Sequence, residues 1–112
     1  MMQAAEGSTE PVTKAVASEI KNLRNPPDEV VQVIVACADF VDGHPGVHTW
    51  NSAKTKMYDF IRRGIGLKDR VSDERFEILR RFVATGITPE KVKSKSTAVA
   101  HFAVYLLTVY QL

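Results

Sequence analysis

The stretch that most limits what this chain can fold into is residues 25–42, opened by Asn25-Pro26-Pro27-Asp28 and closed by Asp42-Gly43. Proline at a first helical position costs nothing, because its missing N–H has no intrahelical acceptor, and Asn25 is placed to cap the free donors behind it. From Val30 to Val41 only Gln32 and Asp39 interrupt a run of valine, isoleucine, alanine, cysteine and phenylalanine. A helix apolar nearly all round must be enclosed by other helices. The pattern therefore predicts an all-α fold built around a central helix from Asn25 to Val41.

At 112 residues and 45% hydrophobic content there is room for one domain with one core. No apolar run approaches the ~20 residues a membrane span needs. Met1 to Glu10 is polar and acidic where a secretory leader would be basic and then apolar, so a soluble, intracellular protein and a disordered tail over 1–10 are expected. Cys37, the single cysteine, reads as a small core residue. The formal charge of +2 hides an asymmetry: up to Ala53 there are three bases against seven acids, and from Lys54 to Lys95 twelve bases against six acids. The second half is the part that would attract an acidic partner.

Val12, Val16, Ile20 and Leu23 recur at helical spacing, which predicts an amphipathic helix from Pro11 to Leu23 with a narrow, coiled-coil-like stripe. Asp42 to His48 carries the breaker residues of a loop, and His44 and His48 read as exposed loop histidines, since no ligand cluster accompanies them. Thr49 is placed to cap a helix from Trp50 to about Asp59, with Trp50 as a core anchor beside Ala53 and Met57. A second short piece, Phe60 to Arg63, would stop at Gly64-Ile65-Gly66 and expose Arg62 and Arg63.

Ser72 is placed to cap the next helix, with Asp73 and Glu74 in its first turn, Arg80 and Arg81 near its end, and Phe76, Leu79, Phe82 and Val83 as its buried stripe up to Gly86. Thr88-Pro89 opens another, where Lys91, Lys93 and Lys95 would crowd the positive end of a helix dipole, at ~0.3–1 kcal/mol each. Such crowding calls for an acidic partner. The last helix, Ala98 to Leu112, places Val99, Phe102, Ala103, Leu106, Val109 and Tyr110 on one stripe, with His101 as a boundary residue. It stops without a cap, the mark of a segment excised from a longer chain, and with the first helix it suggests an antiparallel pair carrying a helical head.

Asn25-Pro26-Pro27-Asp28-Glu29-Val30, Thr49-Trp50-Asn51-Ser52-Ala53-Lys54 and Thr88-Pro89-Glu90-Lys91-Val92-Lys93-Ser94-Lys95-Ser96 resemble, in order and spacing, the stalk-tip microtubule-binding domain of dynein heavy chains. The resemblance covers roughly Ile20 to Tyr110. It implies a compact bundle of about six short helices, with the N- and C-terminal helices pairing as the base of an antiparallel coiled-coil stalk. Residues 11–24 would be the end of the outgoing stalk helix, 25–102 the head and 103–112 the start of the returning helix. Asn25, Pro26 and Pro27 would be the stalk–head hinge. The implied contacts with the partner, the α/β-tubulin surface of a microtubule, are Val31, Gln32, Arg62, Arg63, Lys91, Lys93, Ser94 and Lys95. Family members often carry a lysine near Val31, and lysine and tryptophan where this chain has Val104 and Tyr105. Phe60, Ile61, Leu67 and Asp69 echo the family's central segment only loosely. The resemblance also implies a single copy joined to the rest of a dynein heavy chain, in the cytoplasm on the cytoskeleton or in a ciliary axoneme, with no cofactor, metal, nucleic acid or membrane.

Two other classes compete. A small basic helical nucleic-acid-binding domain would set Thr88 to Ser96 against phosphates, but no helix offers Asn, Gln or Arg at base-reading positions. An enzyme would need paired carboxylates, a nucleophile with its base, a phosphate loop or a metal cluster, and the sequence displays none of these at a recognisable spacing. The motor's ATPase lies outside these residues.

Overall fold

The computed structural model describes residues 14–67 and 71–111, with the backbone alone for 64–67. All regular structure among these residues is helical: α1 (described over 14–21), α2 (Asp28–Asp42), α3 (Trp50–Ala53), a 3₁₀ turn (Lys54–Lys56), α4 (Met57–Leu67), α5 (Asp73–Ala84), α6 (Pro89–Lys93) and α7 (Thr97–Gln111). The expected tail over 1–10, Val12 and Asp69 lie outside the described residues, as does the side chain of Leu67.

The central position falls to α2, which packs against α3, α4, α5, α6 and α7. Val30, Val33, Ile34, Cys37, Ala38 and Phe40 of α2 are buried, as the near-continuous apolar run requires. Ile20 of α1 and Val99, Ala103, Leu106 and Val109 of α7 enter the same core, so both terminal helices contribute to one bundle. A radius of gyration of 13.5 Å matches the ~13 Å of a compact chain this long. Phe60 ties α4 to α7 by edge-on contacts with Phe102 at 5.5 Å and Tyr105 at 5.3 Å.

Four expectations are corrected here. The central helix begins at Asp28, with Pro27 at the N-cap; Asn25 makes no cap and stands in the left-handed region at φ 49°. Asn25 and Pro26 each precede a proline, which disfavours the α region at both and shifts the start three residues on. The segment from Trp50 breaks after one turn into the 3₁₀ turn, and α4 then runs through Gly64 and Gly66. Glycine lowers helix propensity by ~1 kcal/mol without forbidding the helix, and the burial of Met57 and Phe60 holds α4 to the core. On α5, Ile78 joins Leu79 and Phe82 inside, whereas Phe76 is 43% exposed and stacks on Tyr110 at 5.4 Å. Ser72 does cap α5, accepting the Arg75 N–H at 3.2 Å.

Candidate functional site

The residues expected to meet a partner fall into three groups on α2, α4 and the α6 segment, and both α4 and α6 pack on α2. In the last group Thr88 is the N-cap and Pro89 the first residue of α6, while Val92 is fully buried and anchors the segment. Lys91, Lys93, Ser94 and Lys95 are all exposed. The helix is only five residues long, so Lys91 and Lys93 occupy its last turn and Lys95 lies beyond its end. The expected crowding at the start of this helix is thereby corrected for Lys91 and Lys93, which sit at the end that favours cations, while Lys95 directly precedes Ser96 at the start of α7. Lys91 Nζ donates to the Gly86 carbonyl at 3.2 Å.

Arg62 and Arg63 are exposed on α4. The Arg62 guanidinium lies over the Tyr58 ring at 5.6 Å and donates to the Tyr58 hydroxyl at 3.3 Å, which orients it along its own helix. On α2, Val31 is half-buried and Gln32 exposed, and both line a cleft of about 400 Å³ between α2, α5 and the segment before and within α3. Trp50 walls this cleft and is only partly buried, with Lys54 Nζ 6.0 Å from its ring. It is a wall residue as much as the expected core anchor.

The loop after α2 carries structure that the sequence did not reveal. Asp39, buried at 5% exposure, accepts the N–H groups of Gly46 at 2.9 Å and His48 at 3.0 Å. Burial raises its carboxyl above the ordinary aspartate value, while those two N–H groups pull it back. Gly43 ends α2 in the left-handed region at φ 81°. Arg75 completes that end, its Nε and NH2 groups donating to the Phe40 and Val41 carbonyls at 2.7 and 3.1 Å.

His44 is exposed, as expected, and pairs with Glu74 at 2.5 Å. His48 departs from expectation: its side chain is 7% exposed, with Nε2 2.5 Å from Asp42 and Nδ1 2.9 Å from Ser52 Oγ. The Ser52–His48–Asp42 chain joins the residue types of a hydrolase triad with the two ring nitrogens exchanged. Ser52 Oγ, however, also accepts the Thr49 N–H at 3.0 Å, a helix-capping role, and neither Ser52 nor His48 lines the cleft. The chain of bonds staples the loop to α3. Among the described residues no group of three His, Cys, Asp or Glu could hold a metal, and burial pushes the Cys37 thiol well above its ordinary value.

The chain is similar to the "Dynein beta chain, flagellar outer arm" of Chlamydomonas reinhardtii, at 29% identity over 113 aligned residues. The similarity is to a dynein. It takes in 94% of this chain and spans about 2% of the length of that protein. No family model matches, and no solved structure matches. An all-α bundle is consistent with a part of a dynein heavy chain.

Proposed function

We propose that this chain is the microtubule-binding head at the tip of a dynein heavy-chain stalk. The observation that carries the reading is the exposed Lys91-Val92-Lys93-Ser94-Lys95 segment, pinned at its centre by fully buried Val92, in a chain whose similarity to a dynein beta chain spans nearly its whole length. A buried valine between exposed lysines fixes the segment while leaving three cations and one hydroxyl for a partner. Arg62 and Arg63 add a second cationic point, and Val31 with Gln32 a third, less polar one. Against an acidic α/β-tubulin surface such charges steer the encounter and set salt sensitivity more than final affinity. Weak, reversible grip suits a stepping motor.

In this reading residues 11–24 end the outgoing stalk helix, 25–102 form the head and 103–112 begin the returning helix. Asn25-Pro26-Pro27 is the hinge, and the non-helical backbone there, with Asn25 at φ 49°, supports it. The rest of the heavy chain holds the ATPase, and the protein works on the cytoskeleton, in the cytoplasm or in an axoneme. The five-residue α6 is too short to serve as a groove-reading helix, which weighs against the nucleic-acid alternative.

The test is co-sedimentation with microtubules beside a Lys91→Glu, Lys93→Glu, Lys95→Glu variant. The expected outcome is loss of pelleting with helicity unchanged by circular dichroism. Undiminished pelleting of the folded variant would remove the α6 segment from the interface.

A further inference from the structure

The cleft between α2, α5 and α3 has features that the gripping function does not use. Its volume of about 400 Å³ falls in the range of clefts that enclose small organic ligands. Its walls are mostly apolar, with Val35 and Trp50 half-buried facing Ile78 and Phe82 across it. One charged group stands on its rim: Arg81.

Arg81 is not consumed by its own ion pair. Its Nε donates to Glu77 at 2.9 Å, but that carboxylate is also held by both Nε and NH2 of Arg80 at 2.8 and 2.7 Å. Two guanidiniums share one carboxylate, so the trio carries a net positive charge, and Arg81 keeps its terminal NH groups for another acceptor. Glu77 itself does not line the cleft, and the carboxylate that does, Asp39, is buried and already bonded to Gly46 and His48. An apolar slot with the terminal NH groups of a guanidinium at its mouth is complementary to an amphipathic anion.

We infer that this cleft binds a small amphipathic carboxylate, with its hydrocarbon body between Trp50 and Phe82 and its carboxylate on Arg81. Val31 and Gln32 of the proposed tubulin contacts also line this cleft, but the test contains no tubulin, so it can fail without touching the microtubule reading.

Trp50 is the chain's single tryptophan, so its emission reports on the cleft. The experiment titrates the full chain with decanoate below its micelle concentration, with decanol as the uncharged counterpart. Decanoate is expected to change Trp50 emission saturably and to bind at least ~10-fold more tightly than decanol, the difference one charge-assisted contact supplies. Arg81→Gln should erase that difference. Val35→Phe, which fills the slot from a half-buried position, should abolish the saturable response, with helicity checked by circular dichroism, and Lys21→Gln, a charge removal on α1, should leave it intact. A linear, unsaturable response, equal affinity for decanol, or unchanged binding by folded Arg81→Gln would each overturn the assignment.

Discussion

At Gly43 two requirements meet in one residue. The backbone is left-handed, and an added Cβ would lie 3.1 Å from Arg75 NH2 and 3.3 Å from its Cζ. Gly86 shares the left-handed backbone, at φ 76°, but a Cβ there meets nothing within 4 Å. Gly86→Ala should therefore lose only the conformational cost, about 1–2 kcal/mol. Gly43→Ala should lose about 1 kcal/mol more, because displaced Arg75 weakens its bonds to the α2 carbonyls; urea unfolding of the pair measures the gap, and equal losses would mean Arg75 gives way freely. Asp39→Ala strands the Gly46 and His48 N–H groups and should cost about 2–3 kcal/mol, whereas Asp39→Asn keeps an acceptor for one of them. The raised Asp39 carboxyl fixes the sign of a pH effect. A group that holds its proton more tightly in the folded chain loses stabilisation as pH rises from the unfolded value of ~3.9 through the folded one. The stability of the native chain relative to Asp39→Asn should thus be greatest below that window and fall across it. Glu77, held below its ordinary value by Arg80 and then Arg81, works in the opposite direction, but it is common to both proteins and cancels from the difference.

Among the elements, α4 is tied to α7 through one aromatic side chain. Its Phe60 sits edge-on to two rings of α7 and is 4% exposed, so Phe60→Ala should cost about 3–5 kcal/mol and flatten the near-ultraviolet dichroism. A loss under 1 kcal/mol would show that the glycine-bearing helix needs no anchor. The helices that could be read from the sequence were those whose signals act locally. Ser72 before Asp73 and Glu74 sets the start of α5, Gly43 the end of α2, and Thr88-Pro89 the start of α6, each through backbone groups within one turn. What stayed hidden depends on distant partners. Asp39 looks like a polar break until the returning loop brings the Gly46 and His48 N–H groups to it, and Arg75 looks like a surface charge until α5 lies across the end of α2. The short length of α6 is hidden for a different reason. No glycine or proline follows to mark the end of a five-residue helix; α6 ends in a turn in which the Val92 carbonyl receives the N–H groups of both Lys95 and Ser96 at 2.9 Å. Of the candidate site, the exposure of Arg62, Arg63 and the α6 lysines was legible from charge, whereas the cleft beside Val31 and Gln32 needed α2, α3 and α5 in place.

For the whole molecule the question is how a change at the ends could reach the surface. The helix α2 touches nearly every other element, carries Val31 and Gln32, and joins α1 through a non-helical Asn25-Pro26-Pro27 connection. Such a connection does not propagate helical register, so a sliding α1 must push or tilt α2 through Ile20, which is fully buried against the shared core. Because the core is close-packed, a tilt of α2 is taken up as a switch between discrete packings. In the proposed stalk, a one-turn slip of about 5.4 Å between the outgoing and returning helices would select among these packings. Joining both ends of the chain to an antiparallel coiled coil in alternative registers should then give microtubule affinities that differ by about 5- to 150-fold, the usual span of a coupling free energy. Reciprocity supplies the internal check: microtubules added to a stalk free to slide must enrich the tighter-binding register by the same factor, readable by disulfide trapping at paired positions on the two stalk helices. Equal affinities in every register would detach the ends from the grip, and the Pro26-Pro27 joint would then be a plain helix boundary.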